Sequence, residues 1–137
     1  GLGWALGAAL GIKLTAPERR VISLVGDGAY MFGNPTPAHF VSRANQLPTL
    51  TIIMNNSMWA AVRRATLSVY PDSETRLNRN AVFTYLEPSP EYEKIVEASG
   101  GYGERVEQAK DLPAALRRAL HAVEQEGRQA VLNVLVA

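Results

Sequence analysis

The sequence predicts an α/β fold, a three-layer α/β/α arrangement around a mostly parallel sheet. Three observations carry that expectation. Apolar runs of strand length occur at residues 21–25, 49–54 and 130–136, and continuous runs of this kind belong to strands covered on both faces of a parallel sheet. Segments of helix length separate them, as βαβ connections require. Two short polar clusters, Gly26-Asp27-Gly28 and Asn55-Asn56, end the first two runs, where open α/β sheets bind ligands.

Residues 3–14 read as a helix carrying Gly3, Gly7 and Gly11 at four-residue spacing. The small face suits close approach of another backbone, so this helix is expected to be buried. Lys13 ends the apolar run well short of the roughly 20 residues a bilayer demands. No basic segment precedes it and no cleavage site follows, so it is not read as a secretory leader, and the chain is expected to begin mid-fold. The first strand spans 21–25, a crossover helix about 37–46, and the second strand 49–54. Residues 57–64 read as a short helix with its amino end toward an anion. Residues 71–88, rich in proline and polar side chains, read as one long loop. Ser89 caps a helix running to about residue 98, which Gly100-Gly101 stops. Residues 102–106 form an edge strand. Asp111 caps a helix with Leu112, Leu116, Ala119, Leu120 and Val123 on one face, ending near Gly127. Residues 130–136 supply another buried strand, and residues 1–137 form one domain.

Adjacent parallel strands lie about 4.8 Å apart, and a right-handed crossover brings both out at the same end. The 26 residues numbered 29–54 separate the two polar clusters, room for one helix and one strand. Asp27 and Asn56 therefore meet at neighbouring strand tips, offering one anionic and one neutral hard oxygen. Magnesium takes near-octahedral oxygen ligands and shares them with phosphates, so a site with a single carboxylate expects a diphosphate to complete it. The glycines beside Asp27 leave the phosphates unobstructed.

Gly-Asp-Gly followed at this distance by Asn-Asn resembles the cofactor motif of the thiamine diphosphate (ThDP) enzymes. Residues 1–11, with Pro17-Glu18-Arg19-Arg20 before the strand, are similar to the segment preceding that motif in benzoylformate decarboxylase and acetolactate synthase. The resemblance implies the ThDP-binding fold of the carboxyl-terminal, diphosphate-binding domain, as part of a larger chain or as a separate subunit. It implies Mg2+ held by the Asp27 and Asn56 side chains and the Met58 carbonyl, with diphosphate contacts from backbone groups of Gly28, Ala29 and Trp59. Leu2 matches the apolar residue that props the bent cofactor, and Gly1 lies at its pyrimidine end. Ala29 stands where many relatives carry serine, so it offers an N–H and no hydroxyl. The implied activity is decarboxylation of a small 2-oxo acid with release or transfer of the activated aldehyde. The glutamate that activates the cofactor belongs to a pyrimidine-binding domain of the same or a neighbouring subunit, so no catalytic residue is expected in this chain, and the whole enzyme is expected to be a homodimer or homotetramer. The isolated chain is expected to turn over nothing.

Composition narrows the alternatives. A net charge of +1 provides no footprint for nucleic acid, and Arg63, Arg64, Arg76 and Arg79 read as solvated or partner-facing. The chain has no cysteine, so disulfides and thiolate chemistry are excluded, in keeping with a reducing, cytoplasmic setting. His39 reads as structural and His121 as a surface residue. A noncatalytic subunit of the same fold is a second reading, although an intact Asp27 and Asn56 oppose it. A nucleotide-binding α/β domain of another family would need a phosphate loop that is absent.

Overall fold

The computed structural model describes residues 1–77 and 83–136. In chain order the elements are α1 (Ala5–Thr15), β1 (Ile22–Gly26), α2 (Asp27–Phe32), α3 (Pro35–Ala44), β2 (Leu50–Asn55), α4 (Ala60–Val69), α5 (Glu74–Leu77), α6 (Tyr92–Glu97), β3 (Tyr102–Val106), α7 (Leu112–Glu124) and β4 (Ala130–Leu135). They form two compact units, Gly1–Asn56 with Glu91–Ala137, and Ser57–Pro90. Among the described residues no helix is long and apolar enough to cross a membrane.

The first unit is a three-layer α/β/α sandwich. Its sheet has the order β1-β2-β4-β3, and every neighbouring pair is parallel. Leu50 sits opposite Ile22 on one side and Ala130 on the other, so β2 is an interior strand. On one face α7 packs its Ala115, Ala119 and Val123 against Leu50, Val106, Leu132 and Val134. On the other, Leu6 of α1, Tyr30 of α2 and Tyr92 and Val96 of α6 cover Val25, Ile53 and Val131. Each such valine, leucine or isoleucine side chain stabilises the fold by about 1.5–3 kcal/mol when fully buried. Gly100, at φ +73°, supplies the left-handed residue that ends α6. Its N–H donates to the Glu97 carbonyl at 2.8 Å and that of Gly101 to the Val96 carbonyl at 3.0 Å, satisfying carbonyls the helix leaves unpaired.

The second unit holds α4 and α5. An antiparallel bridge joins Met58 to Tyr85, flanked by hydrogen bonds from Trp59 N–H to the Thr84 carbonyl and from Leu86 N–H to the Ser57 carbonyl, both 2.8 Å. The Arg63 guanidinium lies over the Tyr85 ring.

Several expectations need correction. α1 is not a buried helix, because only Leu6 and Ala9 are buried and Trp4, just before it, is 70% exposed. A Cβ at Gly7 or Gly11 would meet nothing within 4 Å, so among the described residues no backbone packs on that face. Gly3 does make a close approach, but before the helix begins and against Gly33. β1 is covered on one face only: it is an edge strand, and Leu24 on the α7 side is 69% exposed. The crossover helix starts earlier than expected, with Pro35 at its first turn after a left-handed Asn34. α4 begins at Ala60 and runs on to Val69. Residues 71–88 contain α5, and 78–82 lie outside the described residues, as does Arg79. The helix expected to open at Ser89 starts later, as α6 at Tyr92 after Glu91. Asp111 precedes α7 without a side-chain cap bond, because a 3-10 turn at Ala109–Asp111 leads into the helix.

Candidate functional site

Asp27 opens α2 directly after β1, and Asn56 follows the last residue of β2. Gly26 is opposite Met54 in the parallel register, so both polar residues leave the sheet at the carboxyl ends of neighbouring strands. Asp27 is 2% exposed, while Asn56 is exposed. Gly28 and Ala29 take the second and third positions of α2, where backbone N–H groups have no intrahelical acceptor. Gly1 and Leu2 precede α1 and are exposed. Met58 and Trp59 belong to the second unit, in the bridge and at the start of α4. The buried Trp59 Nε1 has no hydrogen-bond partner among the described residues.

Residues that sequence reasoning passed over line the space behind Asp27. Tyr92, in the first turn of α6, is almost fully buried and meets the Tyr30 ring edge-on at 5.7 Å between centroids. Its hydroxyl has no hydrogen-bond partner among the described residues. Burial above all, then the negative charge of Asp27, pushes this phenol up to about 12. The group is thus a protonated donor near a buried carboxylate, uncommitted among the described residues.

Tyr30 belongs to a second polar chain, whose protons follow from its partners. The Gln129 Nε2 donates to the His39 carbonyl at 2.8 Å, which turns Gln129 Oε1 toward His39 Nδ1 at 2.7 Å. Nδ1 therefore carries the proton, and Nε2 accepts from the Tyr30 hydroxyl at 2.6 Å. Burial lowers the His39 pKa, opposed by the Gln129 hydrogen bond. Burial, then the proximity of Tyr92, pushes the Tyr30 phenol well above its ordinary value. Both groups are neutral at physiological pH and hold α2 and α3 together as a fixed support. His39 is thus a satisfied core histidine, and His121 an exposed one facing Glu126 at 3.5 Å.

Among the described residues no group of three or more His, Asp and Glu side chains is arranged to hold a metal. One buried carboxylate with one amide oxygen leaves most of an octahedral shell unfilled. That donor set fits a hard divalent cation arriving with an anionic ligand such as a diphosphate. A cleft of about 520 Å³, lined by Ser42, Arg43, Ser99 and Gln129, opens at the amino ends of the strands. Asp27 lies at the opposite end of the sheet, where this class of fold binds ligands.

Comparison with known proteins agrees with this geometry. The chain is 34% identical over 134 residues to a probable acetolactate synthase of Mycobacterium bovis, covering 98% of this chain and 22% of that protein. It is 28% identical over 133 residues to a sulfoacetaldehyde acetyltransferase of Alcaligenes xylosoxydans xylosoxydans, covering 97% of this chain and 20% of the relative. The structure superposes on a thiamine diphosphate-dependent 4-hydroxybenzoylformate decarboxylase of Rhodococcus jostii RHA1 with a TM-score of 0.80 at 27% identity, over 98% of this chain and 23% of that one. The chain therefore spans about a fifth of the length of these relatives. Residues 1–134 match the family described as thiamine pyrophosphate enzyme, C-terminal TPP binding domain. With its parallel sheet and its Gly-Asp-Gly and Asn-Asn strand ends, the chain belongs to that family.

Proposed function

We propose that this chain anchors the diphosphate of ThDP through Mg2+ in an acetolactate synthase-like enzyme acting on small 2-oxo acids. The observation that carries the reading is the buried Asp27 carboxylate at the tip of β1, one strand away from Asn56, in a chain that matches the TPP-binding family over residues 1–134. In this reading Asp27 and Asn56 hold the cation, and the Gly28 and Ala29 N–H groups hold the diphosphate. The Met58 carbonyl as a cation ligand, the Trp59 backbone contact and the roles of Gly1 and Leu2 rest on the sequence resemblance. The bound cofactor supplies the carbon that takes up the 2-oxo acid carbonyl and the electrons left behind by carbon dioxide.

The chain's own contribution is binding and orientation. Asp27 neutralises part of the cation's charge where burial strengthens the attraction. The Tyr30, His39 and Gln129 chain keeps α2 in place, so Gly28 and Ala29 present their N–H groups without rearrangement. The activating glutamate comes from a pyrimidine-binding domain of the same or a neighbouring subunit, the whole enzyme is a cytoplasmic homodimer or homotetramer, and these 137 residues alone turn over nothing. Relatives named for acetolactate formation, for acetyl transfer and for decarboxylation support a 2-oxo acid or aldehyde-transfer chemistry in common.

Calorimetry on the full-length enzyme tests the reading. Titration with ThDP and Mg2+ gives saturable binding that Asp27→Ala abolishes. Equal binding in the variant, or a preference for NAD or ATP, overturns it.

A further inference from the structure

We propose that Glu93, Asn133 and Asn55 form a positioning chain that fixes how the tip of β2 presents Asn56 to the cation. This deepens the proposed function and rests on the reading of Asp27 and Asn56 as cation ligands. The Asn133 Nδ2 donates to Glu93 Oε2 at 2.8 Å, and the Asn55 Nδ2 donates to Asn133 Oδ1 at 2.9 Å. All three residues are buried, with relative exposures of 5%, 0% and 1% for Glu93, Asn133 and Asn55. Asn133 interrupts an otherwise apolar strand, where a valine or leucine would pack without any polar cost. A buried carboxylate and two buried amides in line cost more still, which points to a task beyond filling space.

The geometry has a direction. A carboxylate oxygen accepts and an amide nitrogen donates, so Glu93 selects which end of the Asn133 amide faces it. Asn133 then turns its oxygen to Asn55, and the Asn55 amide is left with only one orientation. The main chain is held as well, since the Val136 N–H donates to the Asn55 carbonyl at 2.8 Å. With side chain and carbonyl both fixed, Asn55 cannot rotate, and the neighbouring Asn56 leaves β2 at a set angle. Glu93 reaches this place because α6 runs opposite to the strands and delivers its first turn, with Tyr92, to the Asp27 end of the sheet. The three residues touch no cofactor in this proposal and act only through Asn56.

The test uses full-length apoenzyme at fixed ThDP, with the near-UV circular dichroism of the bound cofactor followed against Mg2+ concentration. Glu93→Gln keeps the volume but offers Asn133 a donor as well as an acceptor, and Asn133→Leu removes the link. Both variants raise the half-saturating Mg2+ about tenfold or more, the scale of effect usual for groups that orient metal ligands, and excess Mg2+ restores the full amplitude. Half-saturation within about twofold of the parent in both variants, with Asp27→Ala losing all Mg2+ dependence, overturns the positioning chain and leaves the site reading intact. An amplitude that excess Mg2+ does not restore in Glu93→Gln overturns it too, because the role is then merely structural. If Asp27→Ala titrates like the parent, the site reading falls and takes this proposal with it.

Discussion

The hydroxyl of Tyr30 and the Nε2 of His39 lie 2.6 Å apart inside the first unit, joining α2, which Asp27 opens, to α3. The imidazole accepts there because Gln129, 90 residues further along the chain, has already fixed its other nitrogen as the donor. Removing the phenol leaves a buried acceptor unpaired. Tyr30→Phe is expected to lower unfolding free energy by about 1–3 kcal/mol, read from the denaturant midpoint of the full-length protein.

The same histidine sets a pH dependence. Burial lowers its folded pKa below the unfolded value, so the unfolded chain binds a proton that the folded chain refuses. The stability this neutral ring contributes is complete above the ordinary histidine pKa and is lost as pH falls from there toward the lower folded value. A melting temperature that declines below neutral pH in the parent, with a shallower decline in His39→Gln, is the expected result. Parallel curves for the two proteins would remove the assignment.

Cation binding should respond to the exposed amide at the tip of β2. Asn56→Ala is expected to raise the half-saturating Mg2+ for ThDP binding by about tenfold or more, and chelation of the metal should release ThDP from the parent enzyme. Equilibrium dialysis with labelled cofactor measures both. Retention of ThDP after complete chelation contradicts the metal bridge.

Two glycines separate steric from conformational constraint. A Cβ on Gly103 would lie 2.1 Å from the Glu93 carbonyl oxygen, a backbone atom unable to retreat. Gly103→Ala therefore pushes α6 off β3, at about 1–3 kcal/mol or more. Gly127 has open space around it but sits at φ +65°, so alanine there costs about 1–2 kcal/mol from backbone strain alone. Gly127→Asn should lose less, since asparagine tolerates that region. Chemical denaturation of the three variants ranks them.

On the edge strand, Glu104 accepts from Arg118 Nε at 3.1 Å and from the Tyr102 hydroxyl. The Arg118 hydrogen bond is the main reason its carboxyl lies below the usual value. This contribution is present above the ordinary glutamate pKa and disappears as pH falls through the lower folded one. Glu104→Gln should flatten that acid limb of the stability curve and cost less than about 1 kcal/mol at neutral pH, because the pair is partly solvated.

Much of the sheet was legible in the amino-acid sequence. The apolar runs located β1, β2 and β4 within a residue or so, although β1 is an edge strand covered on one face rather than an interior one, and residues 102–106 were read as the edge strand they form. The neighbouring strand ends of Asp27 and Asn56 followed from one helix-sized interval between them. α2 was missed: Gly-Asp-Gly reads as a turn, and six residues are too few to show a period. The exposure of α1 was missed as well, since an apolar sequence states what a helix prefers to bury and not whether a neighbour covers it. Tyr30, His39 and Gln129 converge only through tertiary packing and leave no local trace. Asn133 was passed over too, although a lone amide inside an apolar strand is visible in the sequence.

The strand order places β4 between β2 and β3, although it is made after both. Neither β2 nor β3 can make its pairing to β4 until residues 130–135 have been synthesised. The four-stranded order is therefore complete only once β4, with Asn133 on it, is in place. The Asn55–Asn133 hydrogen bond next to the candidate cation ligand likewise forms only once β4 is in place.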